Sequence, residues 1–137
     1  MRHIHTGKHK SLFEPLIASP SVQAAMMTLK PGQASSDRPE NEHPRAEQWL
    51  YVISGAGRAK FQAGAAHPAR EKSSGTAKSS TRSRSIAIKT GSLLLIEKGE
   101  SHQIVNTGAQ TMTTINFYAQ PAYDQQGEVK AAVSKSR

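Results

Sequence analysis

At 137 residues, with 36% hydrophobic and only 5% aromatic content, the chain suits one domain with a single core rather than two. It has no cysteine, which excludes disulfides, thiolate metal sites and a cysteine nucleophile, and fits a reducing, cytoplasmic setting. The net charge of +8 is unevenly placed: Arg2, Lys8 and Lys10 stand in the first ten residues, and Arg58, Lys60, Arg70, Lys72, Lys78, Arg82, Arg84 and Lys89 are opposed in their segment by Glu71 alone. Basicity confined to a tail and one segment argues against a nucleic-acid partner, which needs a basic stripe on folded structure.

No apolar run follows the charged start, and no segment approaches the roughly 20 apolar residues that span a bilayer, so a soluble protein with no membrane partner is expected. Residues 1–11 read as a flexible basic tail in which His3, His5 and His9 are solvated. Leu12 to Ile17 is apolar but holds Pro15, which confines it to an edge strand or coil. Val22 to Leu29 reads as a strand that ends at the turn Lys30-Pro31-Gly32. Gln33 to Arg45 is polar and proline-rich, hence loop. Gln48 to Ile53 is rich in aromatic and β-branched residues and is the strongest strand of the chain. Ser54-Gly-Ala-Gly57 then reads as a hairpin turn into a strand from Arg58 to Phe61.

Residues 64–85 are Ser, Thr, Ala, Lys and Arg with almost no large apolar side chain. Such a segment cannot bury enough surface to order itself, so it is expected to be a flexible insertion joining two paired strands. Ile86 to Lys89 alternates as a strand. Leu93 to Ile96, four apolar residues in a row, predicts a strand covered on both faces. Glu97 to Glu100 is a turn, and the strand after it carries His102. Thr111 to Ala119 is a last long strand, and residues 124–137 are expected to leave the domain as a polar tail. The domain thus spans residues 12–123. No helical period is evident, and short strands punctuated by Gly and Pro point to an all-β sandwich or barrel.

Two stretches carry the candidate chemistry. Gly91, Glu97, Gly99, His102 and Asn106 have the spacing G-x5-P-x-G-x2-H-x3-N, with Glu97 where that pattern has Pro. Asn41, His43, Gln48 and Gly55 have the spacing H-x-H-x4-E-x6-G, with Asn41 and Gln48 in place of His and Glu. The chain therefore resembles the cupin superfamily, the second motif nearly complete and the first in part. The resemblance covers about residues 20–120 apart from the insertion, and it implies a jelly-roll β-barrel around a ligand cavity, often dimeric. It also implies a metal centre, whose ligands here would be His43, Gln48 and His102. Imidazoles and an amide oxygen suit a divalent Zn, Fe, Ni or Cu ion, and Glu42 or Glu47 could offset the missing carboxylate from behind.

Glu47 also fits a shorter form of the first motif, but Glu47 and Gln48 cannot both face inward on one strand. The strand from Gln48 to Gly55 favours Gln48 inside, with Leu50 and Val52. Trp49, Tyr51 and Ile53 then face outward and need cover, which points to a homodimer. Asn41, Asn106 and Tyr118 are further candidates for the cavity wall, Asn106 also as a turn cap, and Tyr123 for its mouth. Met26, Met27 and Met112 read as core filler. There is no Ser-His-Asp order, phosphate-binding Gly loop or acid–base pair. The function expected is metal-dependent binding of, or action on, a small polar molecule, with the reaction unassigned. The alternative is a metal-free cupin that binds or senses a ligand.

Overall fold

The computed structural model describes residues 1–41, 43–62, 83–124 and 127. Alternation along the strands sets the architecture. A short 3-10 turn, Thr6–Lys8, precedes β1 (Phe13–Ala18), β2 (Gln23–Leu29), β3 (Glu47–Ser54), β4 (Ala56–Gln62), β5 (Ser83–Lys89), β6 (Leu93–Ile96), β7 (Ser101–Val105) and β8 (Met112–Ala119). These form two antiparallel sheets, one of five strands in the order β1-β2-β8-β3-β6 and one of three in the order β5-β4-β7. No helix among the described residues is long and apolar enough to cross a membrane.

The core lies between the sheets. Met27 and Leu29 from β2, Leu50 and Val52 from β3, Ala59 from β4, Ile88 from β5, Ile104 from β7 and Met112 from β8 make one cluster. Burying a side chain the size of Leu50, which is fully enclosed, contributes about 1.5–3 kcal/mol. A second cluster, Ala25, Ala46, Tyr118, Ala122 and Tyr123, closes one end of the interior. Pro15 sits in β1, at the edge of its sheet, where a missing N–H costs no ladder bond.

Three expectations are corrected. Ser54-Gly-Ala-Gly57 is no hairpin, because β3 and β4 belong to different sheets. Gly55, at φ +92°, turns the chain across the sandwich against the Met112 backbone, and a Cβ on Gly57 would strike the Val105 carbonyl. The glycines make a corner between layers rather than a turn between partners. Leu93 to Ile96 is not covered on both faces: β6 is an edge strand, and Leu93 and Leu95 are exposed while Ile96 is buried. Ser83, Arg84 and Ser85, expected in the insertion, instead extend β5 and pair with Gln62, Phe61 and Lys60. The rest of that insertion, and most of the expected C-terminal tail, lie outside the described residues.

Candidate functional site

The loop before β3 is laid along β7 like an extra strand. Glu40 and His102 exchange both backbone bonds at 3.0 Å, Ser35 donates to the Ile104 carbonyl, and Asn106 donates to the Gln33 carbonyl. That pairing carries His43 to His102, with ring centroids 4.9 Å apart. The Ala46 N–H bonds the His43 carbonyl at 3.0 Å, a turn that sets the His43 ring above the start of β3. The two histidines and Gln48 are all buried.

The hydrogen bonds give this cluster a fixed polarity. Asn116 Nδ2 faces the Ala25 carbonyl at 3.4 Å and Thr114 Oγ1 at 3.0 Å. A carbonyl only accepts, so Asn116 turns its Oδ1 to Gln48, and Gln48 Nε2 donates to it at 2.8 Å. Gln48 Oε1 is thereby aimed at His43 Nε2, 2.9 Å away. On the far side of that ring, Nδ1 meets the Ala46 carbonyl at 3.1 Å, a contact made by the tautomer that carries its N–H on Nδ1. A neutral His43 so oriented presents a lone pair at Nε2 to the lone pairs of Gln48 Oε1. The contact holds with a proton on Nε2, which then donates to Gln48 Oε1, or with a metal ion bound by both atoms.

His102 is arranged the same way. Its Nδ1 donates to the Glu100 carbonyl at 3.1 Å, which leaves the lone pair on Nε2, an atom with no hydrogen-bond partner among the described residues. Burial lowers its pKa to about 4; the bond to the Glu100 carbonyl works against that shift, and the charge of His43 adds to it. At neutral pH His102 is therefore an uncharged nitrogen donor. An imidazole whose Nδ1–H is held by a backbone carbonyl has the support common to metal-bound histidines. Two imidazole Nε2 atoms and one amide oxygen fit a borderline divalent ion, with no carboxylate to balance its charge. Among the described residues no three His, Cys, Asp or Glu side chains gather into a metal-holding group, at this cluster or anywhere else; the cluster itself has two His and an amide.

A cavity of about 180 Å³ adjoins the cluster, lined in part by Gln48, His102, Ser35, Tyr118 and Tyr123 on its polar side and by Phe13 and Ile104 on its apolar side. At about 30 Å³ per water, that is room for roughly six waters or a molecule of that bulk. Tyr118 and Tyr123 meet edge to face at 4.9 Å, and Tyr118 meets the His43 ring at 5.0 Å. Gln23 pins the segment that carries Tyr123. Its Oε1 accepts the N–H groups of Ala122 and Tyr123, and its Nε2 donates to the Tyr123 carbonyl.

Of the residues named from sequence, His43, Gln48, His102, Tyr118 and Tyr123 come together here. Glu47 faces out and accepts a bond from Trp49 Nε1 at 3.2 Å, so it does not stand behind the cluster. Asn106 does not line the cavity: its side chain bonds the Leu29 and Gln110 carbonyls and the Gly108 N–H, tying two turns together. Asn41 is half-buried in the loop, and no hydrogen bond joins it to the cluster. Glu42 lies outside the described residues. Sequence reasoning missed Asn116, Thr114, Gln23 and Phe13. The alternation of Met112, Thr114, Asn116 and Tyr118 on one face of β8 was the available signal for the first two.

No protein-family model matches the sequence, and no curated protein matches it. Solved structures do. The crystal structure of BH2720 from Bacillus halodurans superposes with a TM-score of 0.67 at 20% identity, covering 90% of this chain and 80% of that one. The capsular polysaccharide assembling protein CapF from Staphylococcus aureus gives 0.62 at 19%, over 85% of this chain and 28% of its own. An oxalate oxidase in complex with the substrate analogue glycolate gives 0.56 at 19%, over 73% and 42%. With the two-sheet barrel, these likenesses decide the fold. This chain has the cupin fold.

The chain spans less than half the length of the oxalate oxidase and CapF chains. Within the cupin frame, Glu97 takes the place of Pro for a visible reason. Its backbone N–H donates to Glu100 Oε2 at 2.9 Å, a bond Pro could not make, and this closes the turn that presents His102.

Proposed function

We propose that this cupin binds a small polar molecule beside a divalent metal ion held by His43 Nε2, Gln48 Oε1 and His102 Nε2. The observation that carries the reading is the facing of His43 Nε2 and Gln48 Oε1 at 2.9 Å, each locked in orientation from behind. A divalent ion bound there supplies a Lewis acid that polarises a carbonyl or carboxyl oxygen of the bound molecule. The chain's own residues do the rest. Asn116 keeps the Gln48 oxygen turned inward, the Glu100 carbonyl keeps the proton of His102 on Nδ1, and Phe13, Tyr118 and Tyr123 restrict the entry of water. The cavity suits a molecule about the size of glycolate, the analogue held by the oxalate oxidase of like fold.

A second reading has its own support. The cluster lacks a carboxylate, and a proton on His43 Nε2 would also satisfy Gln48, giving a metal-free cavity that binds or senses a ligand. Element-resolved metal content of tag-free protein separates the two. His3 and His5 are replaced by Ala so that the N-terminal segment cannot contribute. One ion per chain that is lost in His102→Ala supports the metal centre. No ion, together with saturable ligand binding that survives a chelator, supports the metal-free cavity.

A further inference from the structure

Two cavities border His102. One is the polar cavity described above; the other, of about 100 Å³, has walls from β4, β5 and β7 of one sheet and β6 of the other. Both β5 and β6 are sheet edges, and among the described residues no ladder closes the seam between them. Register explains the lining. Ile86, Ala59 and Ile104 stand side by side across β5, β4 and β7, with Phe61 and His102 in the next row. These rows belong to the inner face, since Ala59, Ile104 and His102 are all buried. Yet Ile86 is 41% exposed, whereas Ile88, the next residue on that face of β5, is 3% exposed. Ile86 is thus an inward-facing apolar side chain that the core leaves half uncovered, with half-buried Leu94 of β6 also lining the seam. Besides His102, the polar side chains of the lining are Lys60, which is exposed, and Glu100, whose Oε2 already accepts the Glu97 N–H.

We propose that this seam is the subsite for a hydrocarbon arm on the molecule whose polar head lies beside His43, Gln48 and His102. The ligand is then a short-chain amphiphile, a small carboxylic acid that carries an alkyl group, and the inference rests on the reading of the polar cavity given above. The two cavities share His102 and Ile104 as lining, so no more than those side chains divides them. Apolar walls with few polar groups, the latter fixing orientation, are the ordinary make-up of a small-molecule site. Close-packed interiors leave few hollows larger than a water, which sets this one apart from packing noise. At about 30 Å³ per water, its bulk equals roughly three waters or as many methylene groups. The segment between β4 and β5 offers no side chain to fill it, since residues 63–82 contain no Val, Leu, Ile, Met, Phe, Tyr or Trp.

Two titrations of the full chain test the subsite. In the first, calorimetry compares glycolate, lactate, 2-hydroxybutanoate, 2-hydroxypentanoate and 2-hydroxyhexanoate, whose heads are alike and whose arms lengthen by one carbon. Each added methylene should tighten binding about fourfold, roughly sixtyfold from glycolate to 2-hydroxypentanoate, and the gain should then level off as the seam fills. Ile86→Trp, which fills the seam from its open side, should reduce that ratio to near one. If this variant loses its β-sheet circular dichroism, Ile86→Gln replaces it and should cut the ratio at least roughly tenfold. In the second, 1-butanol is added to chelator-treated protein while backbone amide shifts are followed by NMR. Saturable shifts are expected at Ala59, Ile86 and Leu94. If none of the acids binds but butanol shifts those amides, the reading of the polar cavity fails and the seam stands as an apolar site. Acids that bind without gain in length overturn the subsite, as does the absence of a saturable butanol shift at the seam. So does a gain that the Ile86 variant leaves intact, since that would put the arm against Phe13 and Met27 in the first cavity.

Discussion

His102 and Gln48 reach one cluster by different routes. His102 is oriented from within its own turn, by a bond from Nδ1 to the Glu100 carbonyl two residues back. Gln48 is oriented from across the sheet, by Asn116, 68 positions away, which is itself set by the Ala25 carbonyl. A locally held donor survives changes elsewhere in the barrel as long as its turn is intact. A remotely held donor depends on the whole β2-β8-β3 stack keeping its register. The second arrangement is the more fragile, and it is where the sequence departs from the carboxylate of the cupin motif that it resembles.

The largest effect should come from the local arm. His102→Ala removes one of the three proposed ligands, so affinity for a divalent ion should fall at least roughly hundredfold, read by titration calorimetry. Next is a pH effect on chelator-treated protein. His102 stands at about 4 in the folded chain against 6.5 without it. Between those values the unfolded chain takes up a proton that the folded chain refuses. Its contribution is therefore complete above about pH 6.5 and is lost as pH falls toward 4, by up to about 3 kcal/mol. Denaturant melts of wild type and His102→Asn across this range check it, and the slope should be shallower in the variant.

Breaking the remote arm should cost less. Asn116→Leu leaves Gln48 Nε2 and the Ala25 carbonyl without their partner, at about 1–3 kcal/mol of stability. It also frees the Gln48 amide to flip, which should weaken metal binding about tenfold, measured on the same calorimeter. The smallest effect belongs to Glu47→Gln. Its side chain faces outward, so stability should move by no more than about 0.5 kcal/mol and metal affinity not at all. A large loss of metal in that variant would mean that Glu47, not Gln48, faces the cavity.

The same contrast explains what could be read from the sequence. His102, Gly91 and Gly99 belong to one turn-and-strand unit, so their spacing alone carried the resemblance, and both glycines hold positive φ in the fold. Alternation along β3 was also legible, because Leu50 and Val52 inward and Trp49 and Tyr51 outward follow from one choice of register. Asn116 was not, since its role exists only once β2, β8 and β3 are neighbours, which no local spacing encodes. The corner at Gly55 and the exposed edge at β6 were misread for a related reason. A glycine turn looks alike whether the next strand pairs or crosses, and an apolar run looks alike whether or not a second layer covers it.

The central claim is that Gln48 Oε1 and His43 Nε2 are turned toward a shared cation, and Gln48→Glu tests it most directly. In metal-free protein this change sets a carboxylate oxygen against Asn116 Oδ1 and should cost about 1–3 kcal/mol. With a divalent ion present the added charge should tighten binding by roughly tenfold or more and recover that loss. Calorimetric titration of wild type and variant, with melts at both end points, should therefore give one ion per chain in each and a tighter one in the variant. Equal affinity in the two proteins, or no ion bound by either, would contradict the account.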